Sequence, residues 1–127
     1  MAKSPGQRLG SQAERAAEQE LRRQGYRIVA RNVRIAGGEI DLVALHGGTV
    51  CFVEVRSRGD GDLGSALESV GAARRRQLTK LARAFLHQRG LESAPARFDV
   101  VAVVPDPAGG YRVSITADAF PAQGRYA

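Results

Sequence analysis

The chain has 127 residues, enough for one domain with its own core and too few for two of ordinary size. Nineteen Lys and Arg oppose 13 Asp and Glu, a formal net charge of +6, which favours a polyanionic partner such as nucleic acid or an anionic surface. Cys51 stands alone and excludes an intrachain disulfide, no apolar run is long enough to span a bilayer, and residues 1–10 lack the apolar core of a signal peptide, so a soluble cytoplasmic protein is expected.

Residues 1–10 are polar and basic, with Pro5-Gly6, and read as a mobile arm. Ser11-Gln12-Ala13-Glu14 matches a capping box, in which the hydroxyl and the carboxylate each satisfy a free backbone N–H, so a helix is predicted from Ser11. Ala13, Ala16, Ala17 and Leu21 give it a thin apolar stripe, and Gly25 ends it. Tyr26–Ile35 is predicted as a strand, and Ala36-Gly37-Gly38 turns the chain into a hairpin.

That hairpin, Glu39–Arg56, carries the chemistry. Its two runs, rich in Val, Ile and Leu, flank Gly47-Gly48, a pair suited to a tight turn because both central residues need positive φ. A turn centred there sets Asp41 opposite Glu54 and Glu39 opposite Arg56, all on one face with Val43, Leu45, Val50 and Phe52. Ile40, Leu42, Ala44, Cys51, Val53 and Val55 fall on the other face, without charge. Opposed Cβ atoms lie about 5 Å apart, where two carboxylates repel by roughly 3 kcal/mol at an effective dielectric of about 20. Such a pair requires a cation, a shared proton or open solvent, and Arg56 is one positive charge against three negative ones. A divalent ion with oxygen ligands, Mg²⁺ or Mn²⁺, held by Asp41 and Glu54 would balance the rest. A solvated ion cluster at a frayed hairpin end would do so without metal.

Ser57–Gly64 is a loop rich in Gly and Asp. Its Gly59-x-Gly61-x-x-Gly64 spacing matches a dinucleotide fingerprint, but Asp60 and Asp62 would repel a pyrophosphate and no acid follows near position 84 to hold a ribose. Ser65–Val70 is predicted as a short helical turn and Ala72–Arg89 as a longer helix stopped by Gly90, with Leu78, Leu81, Ala82, Phe85 and Leu86 buried. Its other side carries Arg74, Arg75, Arg76, Lys80, Arg83 and Arg89, with no acid between Ala72 and Leu91. A solvated face usually mixes signs; a single sign favours contact with phosphates. Arg34 and Arg58 join Arg74, Arg75, Arg76 and Lys80 as candidate nucleic-acid contacts.

Arg97–Val104 is a buried strand in which Asp99 is expected to be held by an Arg or a helix end rather than to react. Tyr111–Ile115 is predicted as a last strand, Thr116–Phe120 as one helical turn and residues 121–127 as a loose tail. The result is one domain over residues 11–120, an α/β fold of order αβββαββ with helices covering a mixed central sheet on both faces.

Gly38-Glu39-Ile40-Asp41-Leu42 followed by Phe52-Val53-Glu54-Val55-Arg56 resembles the PD-(D/E)xK nuclease signature, in which an acid ends one strand and (D/E)-x-K lies on the next. From Gly10 to about Val104 the chain more closely resembles the YraN family of small bacterial proteins, similar in fold to archaeal Holliday-junction resolvases. The resemblance implies a restriction-endonuclease-like αβββαβ core with an extra C-terminal strand, and endonuclease action on DNA, branched or damaged DNA included. It implies Asp41 and Glu54 as catalytic metal ligands and the backbone carbonyl of Val55 as a further one. Glu39 would bind metal through water or hold Arg56 in place. Glu14 sits where related resolvases carry a metal-binding Glu, and the capping box explains it equally well without metal. Arg56 departs from the signature: arginine stays protonated and cannot serve as a general base, although it can stabilise transition-state charge. Related resolvases act as dimers, so a homodimer is also implied.

Two histidines and one cysteine are too few for a zinc site, and neither a P-loop nor Gly-x-Ser-x-Gly occurs. Three functions remain: a metal-dependent DNA endonuclease, a nucleic-acid-binding module whose acids are structural, and an assembly partner in a DNA-processing or ribosome-associated complex.

Overall fold

The computed structural model describes residues 5–59 and 61–123, with side chains from position 11 onward. Asp60, residues 1–4 of the expected arm and residues 124–127 of the expected tail lie outside the described residues. Along the chain run α1 (Pro5–Arg23), β1 (Arg27–Ile35), β2 (Gly38–His46), β3 (Thr49–Ser57), α2 (Leu63–Glu68), α3 (Ala72–Gln88), β4 (Ala96–Pro105) and β5 (Tyr111–Phe120).

Gly47 and Gly48 take φ of 57° and 85°, so the bend falls where two consecutive glycines permit it. The β2–β3 register is the one read from the sequence, from His46↔Thr49 through Val43↔Phe52 to Leu42↔Val53. The five strands form one sheet in the order β1-β2-β3-β4-β5, antiparallel except for β3 and β4. A parallel pair cannot be closed by a tight turn, and α2 with α3 supplies the crossover.

Each face of the sheet has its own core. Ala13, Ala17 and Leu21 of α1 pack with Leu42, Ala44, Cys51, Val53, Val101 and Val103. Leu78, Leu81, Ala82 and Phe85 of α3 pack on the other side with Val43, Val50, Phe52, Phe98 and Val100. Burying each Leu or Phe stabilises by about 1.5–3 kcal/mol. Helix α3 approaches β2 closely: a Cβ on Gly38 would lie 2.8 Å from Gln77 Nε2 and 3.0 Å from Leu81 Cδ1.

Three predicted boundaries are corrected. Helix α1 begins at Pro5, so Ser11 and Glu14 lie within it and the capping box does not mark its start. Proline suits a first helical turn, where its missing N–H has no acceptor to reach. Helix α2 begins at Leu63 because the Asp62 carboxylate caps it, accepting from the Ser65 N–H at 3.1 Å. Residues 116–120 extend β5 instead of forming a helical turn: Val100 pairs with Thr116 and Phe98 with Phe120, whose rings stack 4.8 Å apart. Asp118, at φ 51°, takes up the register shift.

Asp99 is fully buried and structural, as expected. It accepts from Tyr26 Oη at 2.8 Å, Arg97 Nε at 2.9 Å and the Asp118 N–H at 2.9 Å. His46 stacks on Tyr26 and lies 3.0 Å from Arg97 Nη2, so it is built into this network. Burial and the charge of Asp99 push the Cys51 thiol up to about 12, which leaves it inert.

Candidate functional site

The β2–β3 ladder stops at Leu42↔Val53. Continued further, it would give the Val55 N–H to Ile40; instead that N–H donates to Asp41 Oδ2 at 2.8 Å. Side-chain alternation lapses at the same place. Ile40, expected on the face of Leu42, packs with Val43 on the α3 side while Leu42 packs against α1. Strand β1 slips in step: Ala30 and Val33 pack toward α3, whereas Arg31 reaches Glu18 of α1 at 3.0 Å. Between them Asn32 takes φ 50°, and the register of Arg31↔Leu42 and Val33↔Ile40 sets it across from Asp41.

Two neighbouring strands therefore kink together, and the kink turns Asp41 out of the regular pleat. Asn is among the few non-glycine residues that enter the left-handed region readily. Asn32→Gly is expected to keep stability within a few tenths of a kcal/mol, and Asn32→Val to lose about 1–2 kcal/mol. Urea denaturation of the two variants measures this; equal midpoints would break the link between Asn32 and the kink.

Burial, the charge of Glu54, a hydrogen bond shared with Glu54 and the charge of Glu14 push the Asp41 carboxyl up to about 8, against the opposing Val55 N–H. Glu54 is 3% exposed. Burial alone would raise it, yet its hydrogen bonds and charge contact with Arg74, the bond to Asp41 and the charge of Arg56 prevail and hold it below the ordinary carboxylate value. A neutral Asp41 carboxyl donating to an ionised Glu54 satisfies both shifts.

Arg74 forks onto Glu54, Nε to Oε2 at 2.8 Å and Nη2 to Oε1 at 3.1 Å. Its Nη2 also donates to the Glu39 carbonyl at 2.8 Å and its Nη1 to Gln77 Oε1 at 2.7 Å. Arg56 Nη2 reaches Glu54 Oε2 at 2.9 Å, while its Nε–H is buried with no acceptor among the described residues.

The structure thus gathers Asp41, Glu54, Arg56 and Val55, with Glu14 close enough for its charge to act on Asp41. Glu14 also lines a groove of about 420 Å³ between α1 and β1, beside Ser11, Arg15, Glu18 and Arg31. Glu39 is a correction. It was expected opposite Arg56, but its side chain is 43% exposed and lies 4.0 Å from Arg34, its β1 neighbour. The strands have separated before reaching it.

The basic set divides. Arg34, Arg58, Arg76 and Lys80 are exposed, as expected. Arg74 turns inward to Glu54, and Arg75 donates to the Val70 carbonyl at 2.8 Å and lies over the Phe120 ring. Both are therefore removed from the solvent face of α3. The sequence held one signal of this: arginines crowd the first turn of α3, where the helix macrodipole disfavours cations and no acid is present locally. Lys80, Arg83 and His87 line a second groove, of about 460 Å³, running under Ala36.

A family model described as "Uncharacterised protein family UPF0102" matches residues 13–103, which include every candidate residue named above. The chain is 47% identical over 113 residues to a UPF0102 protein of Symbiobacterium thermophilum, covering 89% of this chain and 96% of the relative. It is 50% identical over 97 residues to one of Roseiflexus castenholzii, covering 76% and 78%. With one of Marinobacter nauticus it shares 36% over 122 residues, covering 96% and 99%.

Proposed function

The chain belongs to the UPF0102, or YraN, family, and from that premise we propose that it binds nucleic acid, DNA foremost, and hydrolyses phosphodiester bonds with a divalent metal. One observation carries this reading: Asp41 and Glu54 are brought together at the kink, Asp41 accepting from the Val55 N–H at 2.8 Å and Glu54 from Arg74 and Arg56, and burial beside Glu54 raises Asp41 toward its protonated form. A cation is the natural replacement for that proton, and an all-oxygen donor set suits Mg²⁺ or Mn²⁺. Asp41 and Glu54 would hold the ion, with Glu14 and the Val55 carbonyl as further ligands. Once bound, it would polarise the phosphate and lower the pKa of a water. Arg56 supplies a permanent positive charge for the phosphate and takes no proton. Arg34, Arg58, Arg76 and Lys80 are exposed and would contact backbone phosphates; each phosphate contact removed should lower the salt slope of binding by about 1.

Nicking of supercoiled DNA should appear with Mn²⁺, vanish in excess EDTA and fall at least about a hundredfold in Asp41→Ala, while DNA retention persists. Nicking that survives EDTA, or an Asp41→Ala protein as active as the parent, would sink the proposal. A second reading, a binder that does not cut, draws on one observation: Arg74 already occupies both oxygens of Glu54. Under it, Mn²⁺ leaves the Tm unchanged.

A further inference from the structure

Resting on that reading, Arg74 acquires a role that its place on the helix does not suggest. Glu54 receives two guanidinium groups, Arg74 through both oxygens and Arg56 through one. A carboxylate gripped by an arginine fork presents the same planar pair of acceptors as a phosphodiester. The fork sits in the first turn of α3, where the macrodipole repels a cation and attracts an anion. Beside it, the Arg56 Nε–H is buried with no acceptor among the described residues, a donor placed where an oxygen is wanted.

We propose that Arg74 is the phosphate-binding residue of this site: Glu54 holds it in the free protein, a nucleic-acid phosphodiester takes it over, and the exchange frees Glu54 for the metal. Charge counting gives the direction. With Asp41 ionised, as a metal ligand must be, Asp41, Glu14 and Glu54 against Arg56 and Arg74 leave one net negative charge. A divalent ion turns this into one net positive charge in a half-buried cluster, and one phosphodiester cancels it. Metal and nucleic acid therefore bind cooperatively, each strengthening the other by the same factor. Removing Arg74 should uncouple them.

The test is calorimetric titration of Mn²⁺ into the parent, Arg74→Gln, Arg74→Lys and Asp41→Asn, each with and without a short cleavage-resistant phosphorothioate DNA duplex. In the parent the duplex is expected to tighten Mn²⁺ binding about tenfold. Arg74→Gln should bind Mn²⁺ about tenfold tighter than the parent without DNA and gain little from the duplex. Arg74→Lys keeps the charge but not the fork and should fall between them. If Arg74→Gln fails to show a cooperative melt, Arg74→Lys decides alone. Parent-like Mn²⁺ binding in the folded Arg74 variants, with Asp41→Asn abolishing it, overturns the exchange and leaves the metal site standing. No Mn²⁺ binding in any folded protein overturns both.

Discussion

Asp99→Ala is expected to destabilise the protein by about 3–5 kcal/mol, the usual cost of removing one partner from a buried, hydrogen-bonded ion pair. Asp99 has no exposed surface and receives Tyr26 Oη, Arg97 Nε and the Asp118 N–H. Truncation leaves a guanidinium, a phenol and a backbone donor facing a cavity that none of them can fill. It also unfastens β1 from β4, since Tyr26 leads into one strand while Arg97 and Asp99 lie on the other, and it loosens the bulge of β5 at Asp118. Arg97→Ala should cost less, because Arg97 keeps access to water and its loss leaves Asp99 two other donors. Urea denaturation with linear extrapolation measures both. An Asp99→Ala loss below about 1 kcal/mol would mean that water replaces the network, and the structural role given to Asp99 would fall.

The Asp99 network was half legible in the sequence, and the reason applies to the whole chain. A carboxylate inside Arg97–Val104 announces that it needs a partner, and Arg97, two residues away on the same strand face, was within reach. Tyr26 lies 73 positions away and reached Asp99 only through sheet order, which no local pattern encodes. The hairpin register was legible because Gly47-Gly48 fixes a turn type and the turn fixes the pairing down to Leu42↔Val53. Beyond that pair the rule fails, because Asp41 takes the Val55 N–H for its own side chain and Ile40 changes sides. Only Asn32, the one uncharged polar residue in a strand of Arg and apolar side chains, marked the kink in advance. Arg74 and Arg75 were misplaced for a further reason. Helical spacing says which residues share a face, but the acid that draws an arginine inward stands on another element. Single-sign charge on α3 thus described two populations, one bound to the domain's own acceptors, as Arg74 and Arg75 are, and one exposed, as Arg76 and Lys80 are.

Asp41 gives the second large effect, a stability that falls as pH rises. In the folded chain its carboxyl is raised from 3.8 to about 8, first by burial and then by the charge of Glu54. Between those values the folded state holds a proton that the unfolded state has lost, so unfolding releases it and higher pH favours unfolding. The contribution is complete below the unfolded value and is lost as pH rises through about 8. Glu54, held below its ordinary value, has the opposite sign: its contribution is present above the unfolded carboxylate value and lost only in acid. Cys51 and Tyr26, both raised to about 12, share the sign of Asp41 but act only from about pH 9 upward, so the window below that belongs to Asp41. Asn mimics the protonated carboxyl in shape, accepting from the Val55 N–H and donating toward Glu54. From about pH 6 to about pH 9 the parent should lose on the order of 2 kcal/mol relative to Asp41→Asn, after allowance for the part of Asp41 that solvent reaches. Melting curves across that range read it directly, and parallel Tm profiles for the two proteins would show that no proton is held there. Mn²⁺ adds the decisive arm, because a cation at Asp41 must displace the proton and so binds better as pH rises. Added Mn²⁺ should flatten or reverse the alkaline decline in the parent and leave Asp41→Asn unmoved. A decline that Mn²⁺ does not touch would leave Asp41 as a buried acid with no metal to meet.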